Sequence, residues 1–367
     1  MKTKIQYRNN ATGQTGELNT LLKDDATEAK PTIPLYGGVP VFLPYKINGK
    51  PTSESPNLLF ERSNASGSLG GDNPEAFLGL AEKDGWRSAL EKLFGPTSPG
   101  LLRAIAPNRT AWAYQFDITS QTRVLDLGAG TGGVSCRLAQ TCNVVSADKS
   151  PVNSAFVQIR AAQEELHQLQ SICTDAVDLP FADEQFDLVC MIGSFEWIPS
   201  SWPEEDPESI HRHTLREVFR ILKPGGGLFL GIENRNYLGY AFGILEPHTR
   251  IKHVAYLNRE RANQLSLDIR NQPFLEYTYS KEECHDLLQS AGFDEVKGYW
   301  LRPDYSTPNY IIPLDNDNIL KYFIEERLNP WDFQGPRSLL YRLYRMLPPS
   351  EISNHVEFYG FRANKPE

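Results

Sequence analysis

Between residues 122 and 235, short apolar runs alternate with longer stretches whose apolar residues recur at helical spacing. The runs are RVLDLGA (123–129), NVVSAD (143–148), LQSICTD (169–175), FDLVCMIGS (186–194) and GGLFLGIEN (226–234). They are apolar at consecutive positions, as strands buried on both faces must be. The stretches between them predict helices over 132–140, 151–166 and 208–222, with a turn near 179–185. This alternation predicts βαβ units and an α/β fold, a doubly wound parallel sheet with helices on both faces.

The flanks read differently. Residues 1–60 are rich in Pro, Gly, Asn and Thr, and IPLYGGVPVFLPY (33–45) has β-prone pieces broken by prolines, which predicts a small β-rich N-terminal module. ERSNASGSLGGDN (61–73) reads as a linker within a helical extension reaching to 117. Asn73 and Pro74 open a helix there, carried by Trp86, Leu90, Leu93 and Phe94 and stopped by Gly95-Pro96; a second is expected over 99–115. The main domain then spans 118–367. Within it, the irregular aromatic stretch 236–275 reads as a lid or as a wall of an acceptor pocket. SKEECHDLLQSAGF (280–293) predicts a helix with a Ser280/Glu283 capping box and a Gly292 stop. DEVKGYWL (294–301) and VEFYGFRANK (356–365) predict strands separated by an insert, 303–354, that holds one helix, PRSLLYRLYRML (336–347). That helix is apolar almost all round, leaving core packing, a homodimer contact or lid, and a membrane-surface role open.

Composition narrows the function classes. With 37 Lys and Arg against 46 Asp and Glu, the chain carries a formal net charge of -9, which argues against DNA and disfavours RNA as a partner. The N-terminus has no signal-peptide h-region, and no apolar run approaches the ~20 residues of a membrane span, so a cytoplasmic chain that leaves the membrane alone is expected. The five cysteines form no C-x-x-C pair, so reduced thiols and no metal site are expected. His211 and His213, two apart in HRHTLREVF, read as solvated.

The chemistry concentrates in VLDLGAGTGG (124–133). Gly128, Gly130 and Gly133 fit the G-x-G-x-x-G of a dinucleotide site; Gly128, Gly130 and Gly132 fit the G-x-G-x-G of an S-adenosylmethionine (SAM) site. Either way the glycines let backbone approach a ligand in front of a helix N-terminus. Asp126 favours SAM, because a carboxylate beside a pyrophosphate would repel it. Asp148, 20 positions after Gly128, suits ribose hydroxyls in either reading. Asp175 could accept the adenine amine, with the Ala176 N–H offered to the ring, and KPGGGLFL (223–230) turns a helix into the fifth strand.

Taken in order, VLDLGAGTGG, SADKS, TDAVDLPF, FDLVCMIGSFEWI and REVFRILKPGGGLFLGIENR resemble the motifs of class I SAM-dependent methyltransferases over roughly residues 120–300. The resemblance implies a seven-stranded sheet of order 3-2-1-4-5-7-6 with only the last strand antiparallel; the fifty-residue insert before that strand departs from the pattern. It also implies that Asp126 and the loop residues Gly128, Ala129, Gly130 and Gly132 hold the methionine end of SAM. Asp148 and Lys149 would lie at the ribose, Asp175 and Ala176 at the adenine, and Ser194 beside the methyl group. IENRNYLGYAFGILEPHTR (232–250) further resembles a subgroup associated with glycan and natural-product assembly, and PLYGGVPVFLP resembles a short β module that precedes some methyltransferase domains, without its usual cysteines.

Methyl transfer is an in-line displacement that needs alignment, exclusion of water and, for a hydroxyl acceptor, a base. The acceptor side lies beyond the strand C-termini. His248 is the first candidate base, as a neutral imidazole; Glu196 and Glu233 are the second. The expected function is methylation of a small-molecule or glycan-like acceptor, at oxygen. The alternatives are a peptide, protein or RNA acceptor, an inactive SAM-binding scaffold, and an NAD(P) dehydrogenase.

Overall fold

The computed structural model describes residues 4–26, 33–44, 46–47, 50–51, 69–274 and 276–367. The linker expected over 61–73 therefore lies outside the described residues from 61 to 68.

Among the described residues, one sheet of ten strands organises the chain. In chain order these are β1 (Leu35–Tyr36), β2 (Val39–Phe42), β3 (Arg123–Leu127), β4 (Asn143–Asp148), β5 (Leu169–Thr174), β6 (Phe186–Ile192), β7 (Leu222–Glu233), β8 (Asp294–Arg302), β9 (Tyr310–Pro313) and β10 (Phe358–Asn364). Their order across the sheet is β9-β8-β10-β7-β6-β3-β4-β5-β2-β1. From β2 to β7 neighbouring strands run parallel, while β10 is antiparallel to both β7 and β8. The seven-strand expectation is thus corrected to ten. The N-terminal hairpin β1-β2 extends one edge, and β9, supplied by the insert, extends the other through an antiparallel pair with β8.

The strands form where both faces are covered. Val124, Leu125, Val144, Val145, Leu188 and Val189 are all buried, split between two apolar clusters on opposite faces. On one face Trp112 stacks on Phe229 with ring centroids 4.8 Å apart. The helix Pro151–Gln163 has Ser150 as its N-cap, and the helix Pro207–Ile221 has Asp206. The expected Ser280–Glu283 capping box is present on the helix Lys281–Ser290.

Local structure departs from expectation at several places. The helix expected over 99–115 is α-helical only over Pro99–Ile105, with a 3-10 stretch Pro107–Gln115 after it, and the insert adds the helices Asp317–Tyr322 and Pro349–His355 to the one expected. The single helix expected from Pro74 is broken in two, Pro74–Asp84 and Trp86–Phe94, because Gly85 takes φ 96°. Only Ser135–Leu138 is α-helical in the first crossover. The stretch after β7 contains a regular helix, Arg259–Arg270, capped by Asn258 and ended by Asn271 in the left-handed region. Its buried residues are only Ala262 and Ser266, too small to mark an apolar stripe. The helix Pro336–Tyr344 buries Leu340, Tyr341 and Tyr344 and leaves Leu339 exposed, so its apolar face is in large part core.

Candidate functional site

A cavity of about 350 Å³ opens at the C-terminal ends of β3 to β6. Its wall includes Leu127, Gly128, Gly130, Asp148, Lys149, Asp175, Ala176 and Ser194, so most of the cofactor residues expected from the sequence meet here. The parallel register explains the convergence: strands pointing the same way end together, and their loops gather at one edge.

The loop after β3 is held by backbone. The N–H groups of Gly128 and Ala129 both donate to the Ala147 carbonyl, at 2.8 and 3.1 Å. Gly128 has φ +87°, and a Cβ there would lie 2.2 Å from the Ser194 Cβ, so the position demands glycine twice over. Ser194 Oγ donates to the Leu127 carbonyl at 2.7 Å, tying the loop after β6 to the loop after β3.

The two acids at the following strand ends are engaged by backbone. Asp148 Oδ2 accepts the Gly130 N–H at 2.8 Å; Oδ1 accepts the Ser150 N–H at 2.9 Å and Asn153 Nδ2 at 3.2 Å. A carboxylate offers about four lone-pair sites, so Oδ2 keeps one for a ligand hydroxyl. Asp175 Oδ1 accepts the Val177 N–H at 3.1 Å. Burial pushes both carboxyls up from the ordinary range, and these backbone donors oppose the shift.

Asp126, Ala129 and Gly132 do not line the cavity. Asp126 is buried, accepts a hydrogen bond from Ser135 Oγ and faces the Cys190 thiol, its cross-strand neighbour. Burial raises its carboxyl, against the pull of Ser135 and Arg109. Its place is behind the loop, as a brace between β3 and the start of the next helix. The expectation that its charge faces the ligand is corrected accordingly.

A second group of polar side chains lies beside this cavity. Glu233 ends β7, Glu196 sits in the 3-10 segment Phe195–Ser201, and Glu246 and His248 share a turn. His248 Nδ1 is 2.7 Å from Glu246 Oε1 and 3.4 Å from Glu233 Oε2. Tyr305 Oη donates to Glu196 Oε1 at 3.3 Å. The Trp197 ring, part of the cofactor cavity wall, meets the His248 ring edge-on at 5.2 Å.

All three candidate bases are therefore brought together, but with altered acidity. Burial works against charge on His248, yet the hydrogen bond it donates to Glu246 and the carboxylates of Glu233 and Glu196 outweigh it and push the imidazole up to about 10. The sequence predicts a neutral imidazole at pH 7; this environment favours the imidazolium. Burial pushes Glu233 up to about 8, and His248 opposes the shift. Glu246 is held below its ordinary value: burial raises it, but His248 and Thr249 overcome that.

His211 and His213 are not solvated. His211 is fully buried, with Nε2 2.7 Å from the Phe195 carbonyl and Nδ1 2.7 Å from Tyr279 Oη; His213 Nε2 lies 2.7 Å from the Val177 carbonyl. His211 thereby positions the segment carrying Glu196 and Trp197. The buried face of its helix reads Ile210, His211, Thr214, Leu215, Val218, a periodicity that the sequence itself carries. Tyr305, from the insert, leaves no such signal. Its ring lies where a side chain on Gly193 would have to go, since a Cβ there would come within 2.3 Å of it. The five cysteines are all buried and free.

An open cavity at the C-terminal edge of a parallel sheet, with a glycine turn and an acid at each of the next two strand ends, defines a nucleoside-cofactor site of the Rossmann-like class. Residues 125–230 match the family model described as "Methyltransferase domain". A curated relative, the ubiquinone biosynthesis O-methyltransferase of Pseudomonas fluorescens (strain SBW25), is 32% identical over 155 residues, covering 39% of this chain and 58% of the relative. The glycine/sarcosine/dimethylglycine N-methyltransferase of Actinopolyspora halophila is 35% identical over 130 residues, 34% of this chain and 21% of the relative. A Haemonchus contortus phosphoethanolamine N-methyltransferase superposes loosely, with TM-score 0.45 and 18% identity over 78% of this chain and 59% of that one. The chain thus spans under two thirds of the length of these relatives. Among the described residues no helix is long and apolar enough to cross a membrane.

Proposed function

We propose that the chain transfers the methyl group of SAM to an oxygen of a small-molecule acceptor. SAM, when bound, supplies a methyl group on a sulfonium, already strongly electrophilic. The residues present fit it: the cavity wall sets Leu127, Met191, Trp197 and Ile198 beside polar Asp148, Asp175 and Ser194, Asp148 keeps an acceptor site for a hydroxyl, and open space lies above Gly130, where a Cβ would meet nothing within 4 Å. Asp148 would take the ribose, Asp175 and Ala176 the adenine, and the loop from Gly128 to Gly132 the methionine end.

The observation that carries the acceptor side is a second cavity of about 320 Å³, walled by Tyr237, Tyr240, Ile244, Leu245, Pro247 and Phe358, with Arg250, Arg337 and Glu357 at its polar points. Most of this wall comes from the stretch after β7 that the sequence marks as lid or pocket. Tyr305 stands between the two cavities, against Gly193 on one side and edge-on to Phe358, 5.4 Å away, on the other. An aromatic wall with a few fixed charges suits a compact ring or sugar, which a polymer would not need. The curated relative named as a ubiquinone biosynthesis O-methyltransferase supports oxygen as the accepting atom.

Isothermal titration with S-adenosylhomocysteine, followed by transfer of labelled methyl from SAM to a panel of phenols, sugars and amines, tests this reading. Micromolar binding and labelling of hydroxyl acceptors are expected. Labelling confined to amines would move the reaction to nitrogen, and absence of cofactor binding would overturn the proposal altogether.

A further inference from the structure

Glu233, Glu246 and His248 each offer one ligand-type atom, and these atoms all lie within 4.8 Å of one another. Two features set the group apart from an ordinary ion-pair network. The first is a mismatch of hydrogens and acceptors. His248 Nδ1 faces Glu246 Oε1 at 2.7 Å and Glu233 Oε2 at 3.4 Å, but it carries at most one hydrogen. That hydrogen serves Glu246. Glu233 Oε2 has no hydrogen-bond partner among the described residues, although Glu233 is only 4% exposed. A buried carboxylate oxygen left this way is costly. The second is preorganisation. Glu246 accepts the N–H groups of His248 at 3.2 Å and Thr249 at 2.6 Å, and the Thr249 hydroxyl at 2.7 Å. The turn is therefore locked around its carboxylate, with Oε1 turned toward His248 and Glu233.

We propose that Glu233, Glu246 and His248 form a binding site for one divalent first-row cation of the Mn²⁺ or Zn²⁺ kind. An ion bonded at about 2.0–2.2 Å bridges oxygen and nitrogen atoms this far apart, replaces the single shared hydrogen, and gives Glu233 Oε2 a partner. Two carboxylates and one neutral imidazole offset the charge of a dication. The mixed nitrogen and oxygen set favours Mn²⁺ or Zn²⁺ over Mg²⁺ or Ca²⁺, which prefer oxygen alone. Three protein ligands leave positions for outside oxygen.

The site lies between the two cavities. Trp197 separates His248 from the cofactor cavity, while Leu245 and Pro247, flanking Glu246, belong to the wall of the second cavity. An acceptor oxygen reaching the ion would be made more acidic and aligned toward the methyl group. That role rests on the methyl-transfer reading; the ion site itself does not.

The test uses the full chain after dialysis against EDTA, titrated with Mn²⁺ while electron paramagnetic resonance reads the free ion. One equivalent bound per chain is expected, with Glu233→Gln and His248→Gln each weakening binding at least tenfold. Mn²⁺ is chosen because the five buried thiols would compete for Zn²⁺ on partial unfolding. S-adenosylhomocysteine titrated into the same samples reports that each variant is folded. A free-Mn²⁺ signal unattenuated by wild-type chain overturns the proposal, as does equal binding by both variants. So would thermal stabilisation by methylammonium with none by Mn²⁺, which would assign the carboxylates to an ammonium ion. Cofactor binding without Mn²⁺ binding defeats this inference alone; Mn²⁺ binding without cofactor binding defeats the methyl-transfer reading alone.

Discussion

Two sets of buried acids stand side by side and are treated in opposite ways. At the cofactor cavity, Asp148 and Asp175 accept backbone N–H groups from their own loops, and Asp148 also accepts one from the glycine loop after β3. In the neighbouring cluster, Glu196 Oε2, Glu233 Oε2 and Glu276 Oε2 are buried with no hydrogen-bond partner among the described residues. The first set spends its charge on shaping the loops, so its members act as fold and site together. The second leaves these three oxygens without a donor among the described residues. Backbone donors are fixed by the strand-to-helix turns, whereas the cluster is drawn from β7, the turn at Glu246 and the segment Phe195–Ser201, which share no local geometry.

The comparison can be broken most severely at the cofactor loop. Gly128→Ala must place a Cβ against Ser194 at positive φ and is expected to cost about 3 kcal/mol of stability, read from urea unfolding. Asp148→Ala strips acceptors from Gly130 and Ser150 and should weaken S-adenosylhomocysteine binding ~100-fold by calorimetry. An affinity within about threefold of wild type would show that the acid serves the loop alone.

Between the two regions, His211 holds the Phe195 carbonyl. Burial lowers its imidazole to about 3, so the unfolded chain takes up a proton below its ordinary value of 6.5 while the folded chain does not. Stability from this group is present above about 6.5 and declines as pH falls toward 3. From pH 7 to 5 the loss is about 2 kcal/mol, and His211→Gln should flatten it; an unchanged urea-midpoint slope would place the acid sensitivity elsewhere. The smallest effect has the opposite sign. Glu233→Gln in EDTA replaces a buried carboxyl oxygen that has no hydrogen-bond partner among the described residues and should stabilise the fold by about 1 kcal/mol in a thermal scan, while Asp148→Asn should not. Equal behaviour of the two substitutions would dissolve the distinction drawn between the two sets.

Much of this is legible in the amino-acid sequence, for local reasons. The strands over 123–234 announce themselves because burial on both faces keeps their runs mostly apolar. The glycine loop, Asp148 and Asp175 are spaced by the βαβ unit, which is a chain property. Asp126 lies behind the loop, held by Ser135, because distance along the chain from Gly128 does not say which side of the loop a side chain takes. The contribution of Tyr305 depends on the insert folding back across the sheet, more than a hundred residues after the glycine loop, and nothing near it in the chain encodes that. The pairing of Val41 and Phe42 with Cys173 and Thr174 is equally non-local, so the hairpin can be recognised but not its partner.

That pairing has a consequence for the whole molecule. A parallel sheet open at both sides presents unsatisfied backbone to any other extended chain. Here one rim is the two-residue strand Leu35–Tyr36, next to Pro34 and Pro40, and the other is the four-residue strand Tyr310–Pro313, with Pro308 before it and Pro313 at its end. Each is too short, and too interrupted by residues lacking an N–H, to template a further strand. The additions that enlarge the sheet beyond seven strands thus act as selvedges, finishing the fabric so that it does not ravel into its neighbours.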